Sequence, residues 1–343
     1  MLNSRHQGVL RAIVVDYIRT AEPVGSRTIS RKYGFSLSPA TIRSTMADLE
    51  EMGYVAQPHI SAGRVPTDQG YRLYVDVLMD RPRLSRAEVQ RIEQRVNPPA
   101  GEVEDVLRET GRLLSALSPY VAVVLAPKLH DRQFRRVQFV SVSRDQALAV
   151  LVTDGDLVHH KIVKLDQEMS QDDLDQASRY LTDLLQGRTL GEVRRLLVTQ
   201  MAKEKAQYDR LLAQALRLGA DALSQEGEVD VYVAGADHIT EQPEFADLDK
   251  MKALFRAFEE KSKLVKILDE CLTGENIKVF IGHEVPVWDL EGLSVIAAPY
   301  RWGTRPLGVL GVLGPTRMDY GRALALVETT ARLVSRALTD RTA

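Results

Sequence analysis

The chain has 343 residues, 44% of them hydrophobic and 27% charged, with a formal net charge of −2; this is enough apolar material for two or three cores rather than one. Its apolar runs stop well short of the roughly 20 residues that span a bilayer, and the N-terminus opens a helix punctuated by Arg11, Asp16 and Arg19 rather than a signal peptide, so a cytoplasmic protein with no membrane partner is expected. A single cysteine, Cys271, excludes an intramolecular disulfide and a cysteine-rich zinc cluster; in its apolar stretch it reads as a buried, inert thiol.

Charge is unevenly placed. Through residue 79 the bases Arg5, Arg11, Arg19, Arg27, Arg31, Lys32, Arg43, Arg64 and Arg72 outnumber the acids Asp16, Glu22, Asp48, Glu50, Glu51, Asp68 and Asp76 by two. So modest an excess means that affinity for a polyanion must come from placing a few bases well and from using two copies of the domain.

The first helix is predicted over 4–20, where Val9, Leu10, Ile13, Val14, Tyr17 and Ile18 share one face. Pro23 follows its end, and Ser26 is positioned to cap a short second helix through Tyr33, with Ile29 inward and Arg27, Arg31 and Lys32 outward. Ser38-Pro39 is a strong start for a third, because the serine oxygen can satisfy an orphan amide while proline at the first position loses no needed donor. Ile42, Met46 and Leu49 then face the core, leaving Ala40, Arg43, Ser44 and Ala47 outward and Thr41 at the flank. Arginine can fork onto guanine, hydroxyls can bond base edges or phosphates, and alanine permits close approach. The acids Asp48, Glu50 and Glu51 sit at the other end, so the N-terminal half should enter a groove and the acidic half lean out. Gly53 closes this helix and 54–56 starts a strand; residues 58–64 form a hairpin tip with His59, Ser61, Gly63 and Arg64, and Thr67 caps the next helix. Helix then basic hairpin is the order of a winged helix-turn-helix, its tip suited to backbone and minor-groove contacts. The alternative is a surface hairpin that meets another protein.

Residues 81–100 read as a helical linker between prolines, followed by a helix at 103–117 and strands at 121–126, 137–142, 147–153 and 157–165, the last two joined by the turn signal Asp154-Gly155-Asp156. A helix at 171–185 leads into a wholly helical pattern over 189–225. Strands return at 229–234, 277–281, 293–298 and 307–313, before a terminal helix at 322–338. The order is that of an α+β multidomain protein in which a β-rich domain is interrupted by a helical insertion.

Chemical constellations are few. His283-Glu284 lacks a second histidine, because Val287 stands there and Pro286 opposes a helix, so no zinc-protease site is expected. Gly308, Gly311 and Gly314 lack the lysine of a phosphate loop and read as a close-packed strand. His159 and His160 would point to opposite faces of a strand. Neither a catalytic arrangement nor a cofactor or metal is expected, and the chain does not read as an enzyme.

The stretches EPVGSRTIS (22–30), SLSPATIRSTMADLEEMGYVAQPHISAGRVPTDQGYRLYVD (36–76), IGHE (281–284) and GVLGPTRMDY (311–320) resemble the HrcA family of bacterial heat-inducible transcription repressors. The second stretch is long, ungapped and specific. The resemblance implies a winged-helix DNA-binding domain over 1–80, a linker over 81–100, a GAF-like domain in two parts, 101–187 and 251–343, and an inserted dimerising domain at 188–250. It further implies a homodimer that binds the inverted-repeat CIRCE operator of chaperonin-type operons and represses heat-shock genes as a stress-response regulator, its activity maintained by the GroE chaperonin. The DNA contacts expected on this reading are Arg27, Ser38, Ala40, Thr41, Arg43, Ser44, His59, Ser61, Gly63 and Arg64. GAF-like folds often bind small molecules, so the alternative is a ligand-responsive regulator with an effector near 281–284, Tyr300, Arg301 and Arg317. Pairing of Glu284 with Arg317 would instead make those residues structural. Val285 stands where the family commonly has asparagine, so this chain has no polar side chain at that position.

Overall fold

A computed structural model describes residues 2–34, 37–96, 103–127, 133–153, 158–165, 167–189, 192–193, 196, 210–222, 231–247, 251–252, 254, 256, 261–272, 276–285 and 292–340. The chain divides into two compact units, one formed by 1–126 with 231–340 and the other by 127–230.

The first unit begins with α1 (Ser4–Thr20), α2 (Ser26–Lys32) and α3 (Pro39–Glu51). The α1 face identified by its spacing is buried at Val9, Leu10, Ile13 and Val14, and meets Ile29 of α2 and Ile42, Met46 and Leu49 of α3. Asn3 caps α1 by accepting from the His6 amide, and Ala21, at φ 57°, closes it. Ser26 does not cap α2. Gly25 precedes it in extended backbone and its carbonyl accepts from the amides of Thr28 and Ile29, which leaves Ser26 as the first helical residue, buried. The strands β1 (Val55–Ala56) and β2 (Val65–Pro66) pair antiparallel into the expected hairpin. Thr67 caps α4 (Asp68–Leu73) by accepting from the Gly70 amide, and α4 widens into one π turn at Tyr74–Leu78.

After α5 (Arg86–Val96) and α6 (Val103–Leu117), β3 (Val121–Leu125) enters the larger sheet. Residues 81–100 were expected to be a linker, yet Ile92 and Val96 of α5 are fully buried in the core cluster that also holds the α1–α3 contacts. The apolar stripe of Val89, Ile92 and Val96 is enough to dock this charged helix.

The second unit holds β4 (Phe134–Ser143), β5 (Gln146–Thr153) and β6 (Val158–Lys164), an antiparallel sheet in sequence order, with α7 (Gln171–Leu185) and α8 (Arg210–Ala222). Phe134, Phe139, Ala149 and Leu151 pack with Leu174, Leu181 and Leu216 on one side of that sheet. Val140, Val142 and Ile162 stay exposed on the strands. The turn expected at 154–156 lies outside the described residues, as does the His159 side chain, and of the helical pattern over 189–225 the residues described as helical are 192–193, 196 and α8.

Returning to the first unit, β7 (Val231–Ala234), α9 (Lys261–Leu272), β8 (Lys278–Ile281), β9 (Leu293–Trp302), β10 (Arg305–Pro315) and α10 (Tyr320–Asp340) complete an antiparallel sheet in the order β7-β3-β10-β9-β8. The divisions therefore differ from those expected at 187/188 and 250/251. Strands β4–β6 and α7 share a core with α8 rather than with β3, because Phe139, Leu151 and Leu181 lie in one buried cluster with Ala215, Leu216 and Leu218 of α8.

Candidate nucleic-acid interface

The outward face of α3 is built by what lies beneath it. Ser38 Oγ accepts from the Thr41 amide at 3.1 Å and lies 3.0 Å from Thr41 Oγ1, so both predicted hydroxyls help to fix the helix start. Thr45, with its hydroxyl bonded to the Thr41 carbonyl, joins Ile42, Met46 and Leu49 in the buried stripe. Opposite that stripe Ala40, Arg43, Ser44 and Ala47 are exposed, together with Ser38 at the cap. Two of the three acids of the last turns are engaged: Asp48 lies 3.3 Å from His6 Nε2, and Glu50 meets Arg64, while Glu51 is exposed.

The bases sort into two groups. Arg5, Arg27, Arg31 and Arg43 are exposed and carry no ion pair among the described residues. Arg31 was read only as outward-facing on α2; its exposure beside Arg27 adds it to the candidate set. By contrast Arg11 pairs with Asp80, while Arg19 and Lys32 converge on Asp16 at 2.9 and 2.7 Å. Burial of Asp16, only 4% exposed at its side chain, opposes ionisation. The hydrogen bonds from Lys32 and Arg19 outweigh it and hold the carboxyl below the usual carboxylate range. Asp16 thereby ties α2 to α1, a role the sequence left unmarked because it needs two helices at once.

At the hairpin, His59 and Ser61 are exposed as expected, but Arg64 is not a free cation. Its side chain is 16% exposed and forms an ion pair with Glu50 at 2.7 Å. Its backbone exchanges two hydrogen bonds of 2.9 Å with Val24, which adds the α1–α2 connection to the hairpin as a further strand contact. Gly63 is also structural, since a Cβ there would meet the Val24 backbone at 2.4 Å. Sequence reasoning passed over Ile60, which stands fully exposed between His59 and Ser61.

Beyond the hairpin in the chain, α4 meets the end of β8. Arg72 donates from Nε to Glu284 at 2.9 Å and from Nη2 to the Val279 carbonyl at 2.7 Å. Asp68 accepts from the His283 amide at 3.1 Å and lies 2.9 Å from His283 Nδ1. Gly282, at φ 54°, is required at this contact because a Cβ would overlap the Asp68 carboxylate. The expected Glu284–Arg317 pair is thus replaced. Glu284 binds Arg72, and Arg317 forks onto Glu244 while donating to the Ile18 carbonyl at 2.7 Å. Burial works against the Glu284 anion, yet the Arg72 hydrogen bonds and the Ile281 amide hold its pKa below the usual range. Tyr300 is buried with its hydroxyl on the Leu125 carbonyl, and Val285 is buried as well, so Tyr300, Glu284 and Arg317, named above as candidates to line an effector pocket, are engaged within the fold. Cys271 is buried, and burial pushes its thiol up to about 11. No helix of the described residues is long and apolar enough to cross a membrane, and no group of three or more metal-binding side chains occurs among them.

Residues 104–324 match the family model of the HrcA protein C-terminal domain. The chain is 47% identical over 337 residues to a heat-inducible transcription repressor HrcA from Geobacter sulfurreducens, covering 98% of both chains. It is 43% identical over 341 residues to the repressor of the same name from Syntrophobacter fumaroxidans, covering 99% of this chain and 98% of that one. A solved structure described as a hypothetical protein at 2.2 Å resolution superposes over the full length of both chains with a TM-score of 0.72 and 28% identity. Identity at this level along nearly the whole length assigns the chain to the HrcA family of heat-inducible transcription repressors.

Proposed function

We propose that residues 1–80 act as a winged helix-turn-helix that places α3 in the major groove of the inverted-repeat CIRCE operator, so that a homodimer represses chaperonin-type heat-shock operons by occupying them. The observation that carries this reading is the outward face of α3, where Ala40, Arg43 and Ser44 are exposed beside the unpaired Arg27 and Arg31 while the opposite face is buried. A helix so supported presents a guanidinium to a base edge without first breaking an internal pair. The five-stranded sheet with its helices serves as the GAF-like domain, and the unit 127–230 as the inserted dimerising element. Exposed Val140, Val142 and Ile162 on that unit's sheet supply apolar surface for self-association. Two weak half-site contacts joined in one dimer bind far more tightly than either alone, so loss of the dimer on heating would release the operator steeply. The GroE chaperonin would set how much protein returns to the binding-competent state.

Titrating the full-length chain against a labelled CIRCE duplex and a scrambled duplex of equal length tests the proposal. Preference for the operator, lost on cutting the repeat to one half-site, is expected. Equal binding to both duplexes would sink it. Operator binding indifferent to added chaperonin would remove the chaperonin step alone.

A further inference from the structure

Ile60 is the most exposed large apolar side chain described in the molecule, at 101% of its reference area. It stands at the tip of the β1–β2 hairpin, where free energy is lost by leaving a side chain of this size in water. The tip is nevertheless well braced. Gln57 Nε2 donates to the carbonyls of Ile60 at 2.9 Å and Ala62 at 3.1 Å, and the Ala62 amide donates to His59 at 2.9 Å. The Val24–Arg64 bridge and the tight Gly63 approach hold its base. With Arg64 paired to Glu50, the tip offers no permanent cation to a phosphate. It offers a stiffly mounted branched hydrocarbon flanked by His59 and Ser61, both exposed. Apolar side chains presented in this way enter the minor groove and part a base step.

We propose that Ile60 is a DNA contact that the basic residues do not supply: an apolar wedge lodging at a base step in the minor groove beside each half-site. This inference rests on the DNA-binding reading above. Wedging is cheapest at a flexible pyrimidine–purine step, so Ile60 adds preference for sequence just outside the part read by α3.

The test uses the full-length chain and operator duplexes carrying 2-aminopurine singly at successive flanking positions. Binding of the wild type should raise the fluorescence at one position per half-site, reporting an unstacked base. Ile60→Ala should abolish that rise and weaken binding by roughly tenfold, the loss of one buried branched side chain. Ile60→Leu should keep most of both. The dependence of affinity on salt should be the same in all three, because no phosphate contact is removed. Since Ile60 touches solvent, thermal melts of the variants should match the wild type. Unchanged fluorescence and affinity in Ile60→Ala overturn the wedge while leaving the DNA-binding reading standing. So does repression lost in a purified transcription reaction with DNA binding intact, which would move Ile60 to a protein contact. A wild type that binds operator and scrambled DNA equally overturns the parent reading and the wedge together, and Arg43→Ala in the same titration tells that failure apart.

Discussion

Arg43 on α3 and Arg64 on the hairpin are the same residue type on neighbouring elements of one small region, yet they serve opposite ends. Arg43 is exposed with no acid paired to it among the described residues, whereas Arg64 is drawn onto Glu50 and into backbone contact with Val24. The difference lies beneath the two elements. α3 is held by an apolar stripe and a serine cap, and its support does not draw on Arg43. The hairpin has two paired residues per strand and little core, so it recruits its arginine and its glycine to stay in place. A short element without an apolar underside spends its charges on itself, and only the well-supported element has them to spare for a partner.

The hardest blow to the hairpin side of this comparison is Gly63→Ala. Its new methyl must displace Val24 backbone, so we expect a loss of about 2–4 kcal/mol in chemical denaturation, with the hairpin amides losing protection from exchange. An unchanged midpoint would mean that the Val24 contact is not tight. On the α3 side, Arg43→Ala should cost about 1–3 kcal/mol of operator affinity and relax base preference at its position, with stability unaltered. Undiminished discrimination between operator and scrambled duplex would take Arg43 out of base readout.

Asp16→Asn probes the mount beneath both elements, and its pH dependence has a definite sign. The folded-state pKa of Asp16 is lowered, so its contribution is complete above the ordinary carboxylate range and is lost as pH falls through the folded value. The wild type should therefore exceed the variant by about 1–2 kcal/mol at neutral pH, and the gap should close on acidification. A gap that grows in acid contradicts the assignment. The smallest effect is expected for Arg64→Ala, which should lower stability by about 1 kcal/mol or less and leave the salt slope of binding almost unmoved. A slope reduced by a full phosphate contact would return Arg64 to the DNA side of the comparison.

These contrasts mark how far the sequence could be read. The α3 face was legible because Ser38-Pro39 and the Ile42, Met46, Leu49 spacing act within one helix, where 3.6-residue geometry decides which side chains face out. The three-helix order, the hairpin, the Thr67 cap and most of the strands were legible for the same local reason. The pairing of Arg64 was not legible because its partner Glu50 sits on another element and is reached only when the hairpin folds back. Glu284 was given the wrong arginine on similar grounds, since Arg72 is far away in the chain and close only across α4 and β8. The division between the two units depends on which helices share a core with β4–β6, and periodicity is silent on that choice. Ile60 was passed over because an apolar residue in a turn sequence is ordinary until its exposure is known.

The small formal charge of the chain takes on a different meaning once Asp16 is located. Arg19 and Lys32 keep 63% and 43% of their side-chain surface in water, while the acid that cancels part of their charge is sunk to 4% beneath them. A polyanion approaching this surface meets the two cations first and feels the carboxylate from farther off, as it would the positive end of a dipole aimed outward. Charges that cancel in a sum over residues need not cancel in the field a phosphate experiences, because the sum takes no account of depth.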